Sequence, residues 1–100
     1  MIIYNVTINI DQSVHTEWLS WMKETHIPDV MRTGIFLENR ILKLIGDEDS
    51  GGFTYAIQYS CESMDRYNTY QEKFAPALQK AHVDKYKDKF VAFRTLLEVI

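Results

Sequence analysis

One hundred residues are enough for one domain with one core. With 46% apolar and 25% charged residues the chain is no disordered tail, and a formal net charge of -3 argues against a nucleic-acid backbone or an anionic membrane as partner. A single cysteine, Cys61, offers neither an intrachain disulfide nor metal-ligand spacing, so the expected compartment is the cytoplasm and neither a metal nor another cofactor is expected.

Tyr4, Val6, Ile8 and Ile10 alternate with Asn5, Thr7 and Asn9, the period-two pattern of a strand with one buried face. These first residues lack both a basic start and an uninterrupted apolar run, so neither a signal peptide nor a membrane span is expected. Asp11, Gln12 and Ser13 stop the strand, and Ser13 is placed to cap a helix. Val14, Trp18, Trp21, Met22 and Thr25 then recur at helical spacing and predict a core-facing stripe. Pro28 lacks an amide and pushes Ile27 away from helical angles. The helix is therefore expected to end near His26 or to kink there, with Pro28 opening a fresh turn that carries Val30 and Met31 inward. Gly34 reads as a left-handed cap.

Residues 35–45 read as a second strand whose imperfect alternation suggests a bulge. Residues 46–52 form a polar hairpin loop, and its acidic Asp47-Glu48-Asp49 lacks the spacing of a calcium-binding loop. Phe53, Tyr55, Ile57, Tyr59 and Cys61 alternate with Thr54, Ala56, Gln58 and Ser60 in the clearest strand of the chain. Ser63 caps a second helix with an inner stripe of Met64, Tyr67, Tyr70, Phe74, Leu78 and Ala81, broken at Pro76. Residues 84–89 read as a solvated helix end and turn. Residues 90–99 are the last strand, with Phe93, Leu97 and Val99 on one face and Ala92, Arg94, Leu96 and Glu98 on the other.

Aligning Pro28 with Pro76 brings Glu24 onto Glu72, Val30 onto Leu78 and Arg32 onto Lys80. The chain thus reads as two related strand–helix–strand halves. The predicted fold is α+β: a single ferredoxin-like βαββαβ domain over residues 1–100, an antiparallel four-stranded sheet with two broken helices on one face. Tyr4, Val6, Tyr55, Ile57 and Phe93 are expected under the helices. The helix-free face is expected to carry Asn5, Thr7, Asn9, Ala56, Gln58, Ser60, Ala92, Arg94 and Leu96. Its low central charge favours a homodimer through that face, closing a barrel between two sheets.

Several stretches resemble a family of bacterial proteins of about this length that is named only as a domain of unknown function. They are the opening Met1-Ile2-Ile3-Tyr4-Asn5-Val6-Thr7-Ile8-Asn9-Ile10-Asp11, the pieces Val14-His15, Glu17-Trp18-Leu19, Trp21-Met22-Lys23 and His26-Ile27-Pro28-Asp29-Val30, and the run Asp88-Lys89-Phe90-Val91-Ala92-Phe93-Arg94-Thr95-Leu96-Leu97-Glu98-Val99. The resemblance covers essentially the whole chain. It implies the dimeric α+β-barrel group, with its antibiotic-biosynthesis monooxygenases, EthD-like proteins, muconolactone isomerases and stress-responsive barrel proteins. Cofactor-free oxidation or isomerisation is the chemistry that group implies. His26-Ile27-Pro28 looks like the His-x-Pro step of the EthD-like branch, although Phe74 holds the equivalent place in the second half and serves packing.

Among the residues themselves, His26 is the candidate for general acid–base work, with Asp29 to orient it. The alternative is that His26 caps carbonyls at a helix end and Asp29 begins the next turn. Asn5, Asn9, Gln58 and Arg94 are candidates to bind a small polar or carboxylate ligand, with Arg94 supplying the charge. They would serve equally in a water-lined interface. Trp18, Trp21, Tyr55, Tyr59, Tyr67 and Tyr70 read as core. His15 and His82 are expected at the surface, and with Cys61 they show no zinc spacing. RNA-recognition motifs share the topology, and Ile3-Tyr4 and Phe53-Thr54-Tyr55 echo their stacking positions. Gly51 and Gln58 stand where that motif needs a basic and an aromatic residue, so no nucleic-acid partner is expected. No reaction is legible. Two readings remain: a homodimeric α+β barrel that binds a small polar or aromatic molecule, and a non-catalytic dimeric module for interaction or regulation.

Overall fold

The computed structural model describes residues 1–46 and 50–100. Strands β1 (Ile2–Asp11), β2 (Glu38–Lys43), β3 (Gly52–Cys61) and β4 (Phe90–Glu98) form one sheet in the order β2-β3-β1-β4, antiparallel throughout. The first and third strands are central, as the two-halves reading requires, and the α+β ferredoxin-like fold follows. The acidic triplet of the hairpin loop, Asp47 to Asp49, lies outside the described residues.

The first helical run is continuous from residue 15 to residue 31: α1 (His15–Trp21), a π-helical turn (Met22–His26) and α2 (Ile27–Met31). Ser13 does not cap it: a 3-10 turn, Gln12–Val14, leads in and is capped by Asp11, which accepts from the Ser13 amide at 2.8 Å, and α1 itself starts at Val14 without a side-chain cap. Of the two expected outcomes, an end or a kink, Pro28 does not end the helix; it opens α2 behind the π turn and carries Val30 inward as expected, but Ile27 is not pushed from helical angles. Ile27 keeps helical angles (φ -60°, ψ -45°), and its amide reaches back five residues to the Met22 carbonyl. A proline ring collides with the carbonyl four residues before it. Widening the turn by one residue relieves that collision and lets the helix run on. Gly34 closes the run at φ +77°, the left-handed conformation expected of it.

The second helical run is α3 (Met64–Lys73) and α4 (Ala75–Tyr86), separated at Phe74, whose φ of -120° breaks the ladder. The Ser63 hydroxyl accepts from the Arg66 amide at 3.2 Å, the expected cap. Phe74 and Leu78 pack against the core across the break. Tyr67 and Tyr70 face the core before it; Ala75, His82 and Tyr86 do so after it, and Met64 and Ala81 are exposed. Consecutive Ile35 and Phe36 are both buried ahead of β2, so the irregular pattern there marks a loop that plugs the core.

β4 departs most from expectation. Its register sets Leu96 opposite Tyr4, Arg94 opposite Val6 and Ala92 opposite Ile8. Directly opposed residues of an antiparallel pair share a face. Phe90, Ala92, Arg94 and Leu96 therefore lie on the helix side, and Val91, Phe93, Thr95 and Leu97 on the helix-free side. The assignment of Phe93 to the core and of Ala92, Arg94 and Leu96 to the other face is corrected: the more apolar face of this edge strand is the one the helices do not cover. Val91 stays 72% exposed and Phe93 61% exposed.

Candidate functional site

A narrow cleft separates the helices from the sheet. Tyr4, Val6, Ile8, Ile57 and Tyr59 of the central strands line its floor, and Met22, His26 and Val30 one wall. Tyr70, Leu78 and Gln79 form the other wall, and Arg94 enters from β4. Its volume is about 40 Å³, room for a water or two.

The π turn and Pro28 set the position of His26. Its ring stacks on Trp21 (centroids 4.8 Å apart) and lies 5.7 Å from the ring of His82. Burial holds its pKa below the usual histidine value, against the opposing charge of Asp29. His26 is thus a neutral imidazole at pH 7. The carboxylate of Asp29 is bonded to Arg32 at 2.8 Å and acts on His26 through its charge.

His82 is not at the surface, as expected from the sequence, but buried, and its Nε2 accepts from the indole Nε1–H of Trp18 at 2.9 Å. Desolvation first, then the neighbouring His26 and Arg94, lower its pKa to about 4. His15 is likewise half-buried. Its Nε2 lies 2.6 Å from the Tyr55 hydroxyl and its ring stacks on Phe53 at 4.0 Å. One signal could have found His82: a buried indole N–H needs an acceptor, and a histidine on the facing helix supplies one.

The four predicted ligand residues divide between the two faces of the sheet. Arg94 is in the cleft, where its Nε donates to the Tyr4 hydroxyl at 3.0 Å. Asn5 and Gln58 remain on the helix-free face in a polar ladder across the strands. Arg40 Nε donates to Gln58 Oε1 at 2.9 Å, Gln58 Nε2 to Asn5 Oδ1 at 3.2 Å, and Asn5 Nδ2 to Thr7 Oγ1 at 3.0 Å. Asn9, on the same face, donates to Thr54 Oγ1 at 2.9 Å. The structure thus joins Arg94 to His26, which the sequence had placed apart, and separates it from the three amides. The sequence reading missed Tyr4, Tyr59, Tyr70 and Gln79 as cleft residues. Burial, followed by the neighbouring tyrosines for Tyr59 and by Tyr4 for Tyr70, raises the pKa of both phenols, so they stay protonated and can donate.

Among the described residues no three His, Cys, Asp or Glu side chains gather as a metal site would require, and no helix is long and apolar enough to cross a membrane.

The family model described as a domain of unknown function (DUF4286) matches residues 1–100. The chain belongs to that family. A comparison with curated proteins found no match. Among solved structures the chain is similar to a dimeric ferredoxin-like protein from an uncultured marine organism (12% identity, 100% of this chain and 95% of that one, TM-score 0.73). It is also similar to an ethyl tert-butyl ether d (EthD) family protein from Bacillus halodurans (10% identity, 100% of both chains, TM-score 0.69). A third likeness is to SnoaB, a cofactor-independent oxygenase from Streptomyces nogalater (12% identity, 98% of this chain and 92% of that one, TM-score 0.70). At these identities the likeness is one of fold, and it agrees with the ferredoxin-like group that the sequence resembles.

Proposed function

We propose that this chain forms a homodimeric α+β barrel, closed through the helix-free sheet face, and binds a small polar or aromatic molecule in the helix–sheet cleft. The observation that carries the binding reading is the convergence of His26, Arg94 and the hydroxyls of Tyr4, Tyr59 and Tyr70 on one cleft between apolar walls. Apolar walls with a few convergent polar groups are what a ligand site needs. Support for the dimer comes from the other face. Val91, Phe93, Leu97 and Leu42 are exposed there beside the Arg40–Gln58–Asn5 ladder, and an apolar surface with a bonded polar strip suits an interface. The dimeric neighbour of the same fold agrees with it.

The pair His26 and Arg94 has a definite chemical capacity. A neutral imidazole can take a proton from a bound molecule while a guanidinium meets the negative charge that develops on it. Proton abstraction of this kind underlies both isomerisation and oxygenation without a cofactor.

The small volume of the cleft favours the second reading, a non-catalytic dimeric module for interaction or regulation. Native mass spectrometry of the purified protein separates the two. A dimer carrying an additional small-molecule mass is the expected result. A bare dimer would shift the balance to the module, and a monomer would remove the barrel from both.

A further inference from the structure

Arg94 is held in a particular pose. Its Nε is occupied by the Tyr4 hydroxyl at 3.0 Å, which fixes the plane of the guanidinium and leaves its terminal nitrogens as a fork of donors. The ion pairs among the described residues are Arg32–Asp29, Lys80–Asp84 and Lys85–Glu17, so no described carboxylate pairs with Arg94. Among the described residues none that lines the cleft is an aspartate or a glutamate. The side chain is exposed while most of the lining is buried, which places it at the rim. Its charge is nevertheless felt inside, since it helps to depress the basicity of His82. Below the rim the walls are planar. Tyr4 stacks on Tyr59 at 6.0 Å and meets Tyr70 at 5.8 Å.

We infer that the ligand of this cleft is an aryl anion, a carboxylate or phenolate on an aromatic ring, with its charge on Arg94 and its ring between the tyrosines and His26. The inference rests on the cleft being a binding site, and it adds the charge, the shape and the anchoring residue. A forked guanidinium is matched by two oxygens of one carboxylate. Neutral tyrosine hydroxyls donate to the same oxygens and add no competing charge. A cationic ligand would meet Arg94 at the rim, and the described carboxylate whose charge reaches His26, Asp29 of the outer groove, is already paired with Arg32.

The cleft is too tight for a ring as it stands, and Leu78 shows how it opens. Leu78 lines both the cleft and an outer groove of about 300 Å³ between α2 and the α3–α4 junction, where Phe74 and Ala77 are its neighbours. The inference requires Leu78 to turn aside on binding, so that the ring uses part of the outer groove, which is itself the size of a small-molecule site.

The test is a series of equal shape and different charge: benzoate, benzamide and benzamidine, titrated at pH 7 and constant ionic strength. Binding is read from the fluorescence of Trp21, which lies against His26. Benzoate should bind at least about tenfold tighter than benzamide, and benzamidine should show no binding. Arg94→Gln should reduce benzoate to the level of benzamide and leave benzamide unchanged. Arg94→Lys keeps the charge without the fork and should fall between. Equal affinity for benzoate and benzamide would overturn the anion inference and leave the cleft as a site. Failure of all three to bind would overturn the cleft reading with it. A charge preference that survives Arg94→Gln would place the anion elsewhere, beside Arg32 or Lys73 of the outer groove, and overturn the assignment to Arg94. Thermal melts of both variants show whether a loss reflects folding; an unfolded Arg94→Gln leaves the decision to Arg94→Lys.

Discussion

The indole Nε1–H of Trp18 donates to Nε2 of His82 at 2.9 Å, joining the first helical run to the last helix beneath the surface. The bond requires Nε2 to be unprotonated, so His82 is neutral with its proton on Nδ1. Its pKa falls from an ordinary 6.5 to about 4 in the folded chain. The unfolded chain therefore takes up a proton near pH 6.5 that the folded chain refuses until about pH 4. The stabilisation is complete above pH 6.5 and is lost as the pH falls through that window, by on the order of 3 kcal/mol for such a shift. His26, also depressed, contributes in the same direction. His82→Gln keeps an acceptor for Trp18 and removes the titration. Urea unfolding at pH 7 and pH 4.5 should show a smaller acid loss for this variant than for the parent. Equal losses would mean that His82 does not titrate across this range.

Ala56 sits opposite Thr7, and Thr7 opposite Phe93, so these three run across the middle of the helix-free face. A charge introduced there would be buried in a sheet-to-sheet dimer without a partner, at a cost of several kcal/mol. Ala56→Arg and Phe93→Arg should each yield folded monomers or insoluble protein. Light scattering coupled to size exclusion reads the outcome, and a soluble dimer unchanged in both variants would reject this face as the interface.

Gly52 faces Asp11 across the first and third strands. A Cβ there would stand 2.4 Å from the Ile10 carbonyl oxygen and 2.8 Å from Asn9 Oδ1. The side chain of Asn9 can move, but the backbone of a central strand cannot move without its neighbours. Gly52→Ala should cost about 1–3 kcal/mol, read as a lowered urea midpoint. A variant as stable as the parent would show that the strand ends are looser than their register implies.

His26 stacks on Trp21 and is only half-buried, so its removal should spare most of the fold. His26→Ala should lose benzoate binding while its melting temperature falls by no more than about 10 °C, the loss of its two ring contacts, to Trp21 and His82, being worth about 1–2 kcal/mol. A large loss of stability would mark His26 as a structural residue at the helix turn.

The strands and helices were legible because their signals are local. Alternation in β1 and β3, the caps at Ser63 and Gly34 and the repeated proline are read within a few residues, and their order leads to the ferredoxin-like sheet. The interruption at Pro28 was legible, but the helical angles of Ile27 were not, because propensity describes a proline in an ideal α-helix and one widened turn removes the conflict. The exposed placement given to His82 failed for a different reason. The stripe of Tyr67, Tyr70, Phe74 and Leu78 continues across the break to His82 and Tyr86 rather than to Ala81, a choice of one residue that spacing alone does not make.

The candidate site was half legible. His26 was found from its position after the first helix, and Arg94 from its charge on a strand. Their meeting was not, because the face of an edge strand is set by its pairing register. Shifting β4 by one residue against β1 would exchange every side chain between the cleft and the free surface. The alternation of β4 is itself ambiguous, since Phe93 and Leu97 make its free face the more apolar one. By itself, then, the sequence determined the elements, their order and the class of fold, all consequences of local pattern. Only the tertiary structure decided that Arg94 lies with His26 and the tyrosines while Phe93 faces outward, because that choice rests on the pairing of β4 with β1, from opposite ends of the chain.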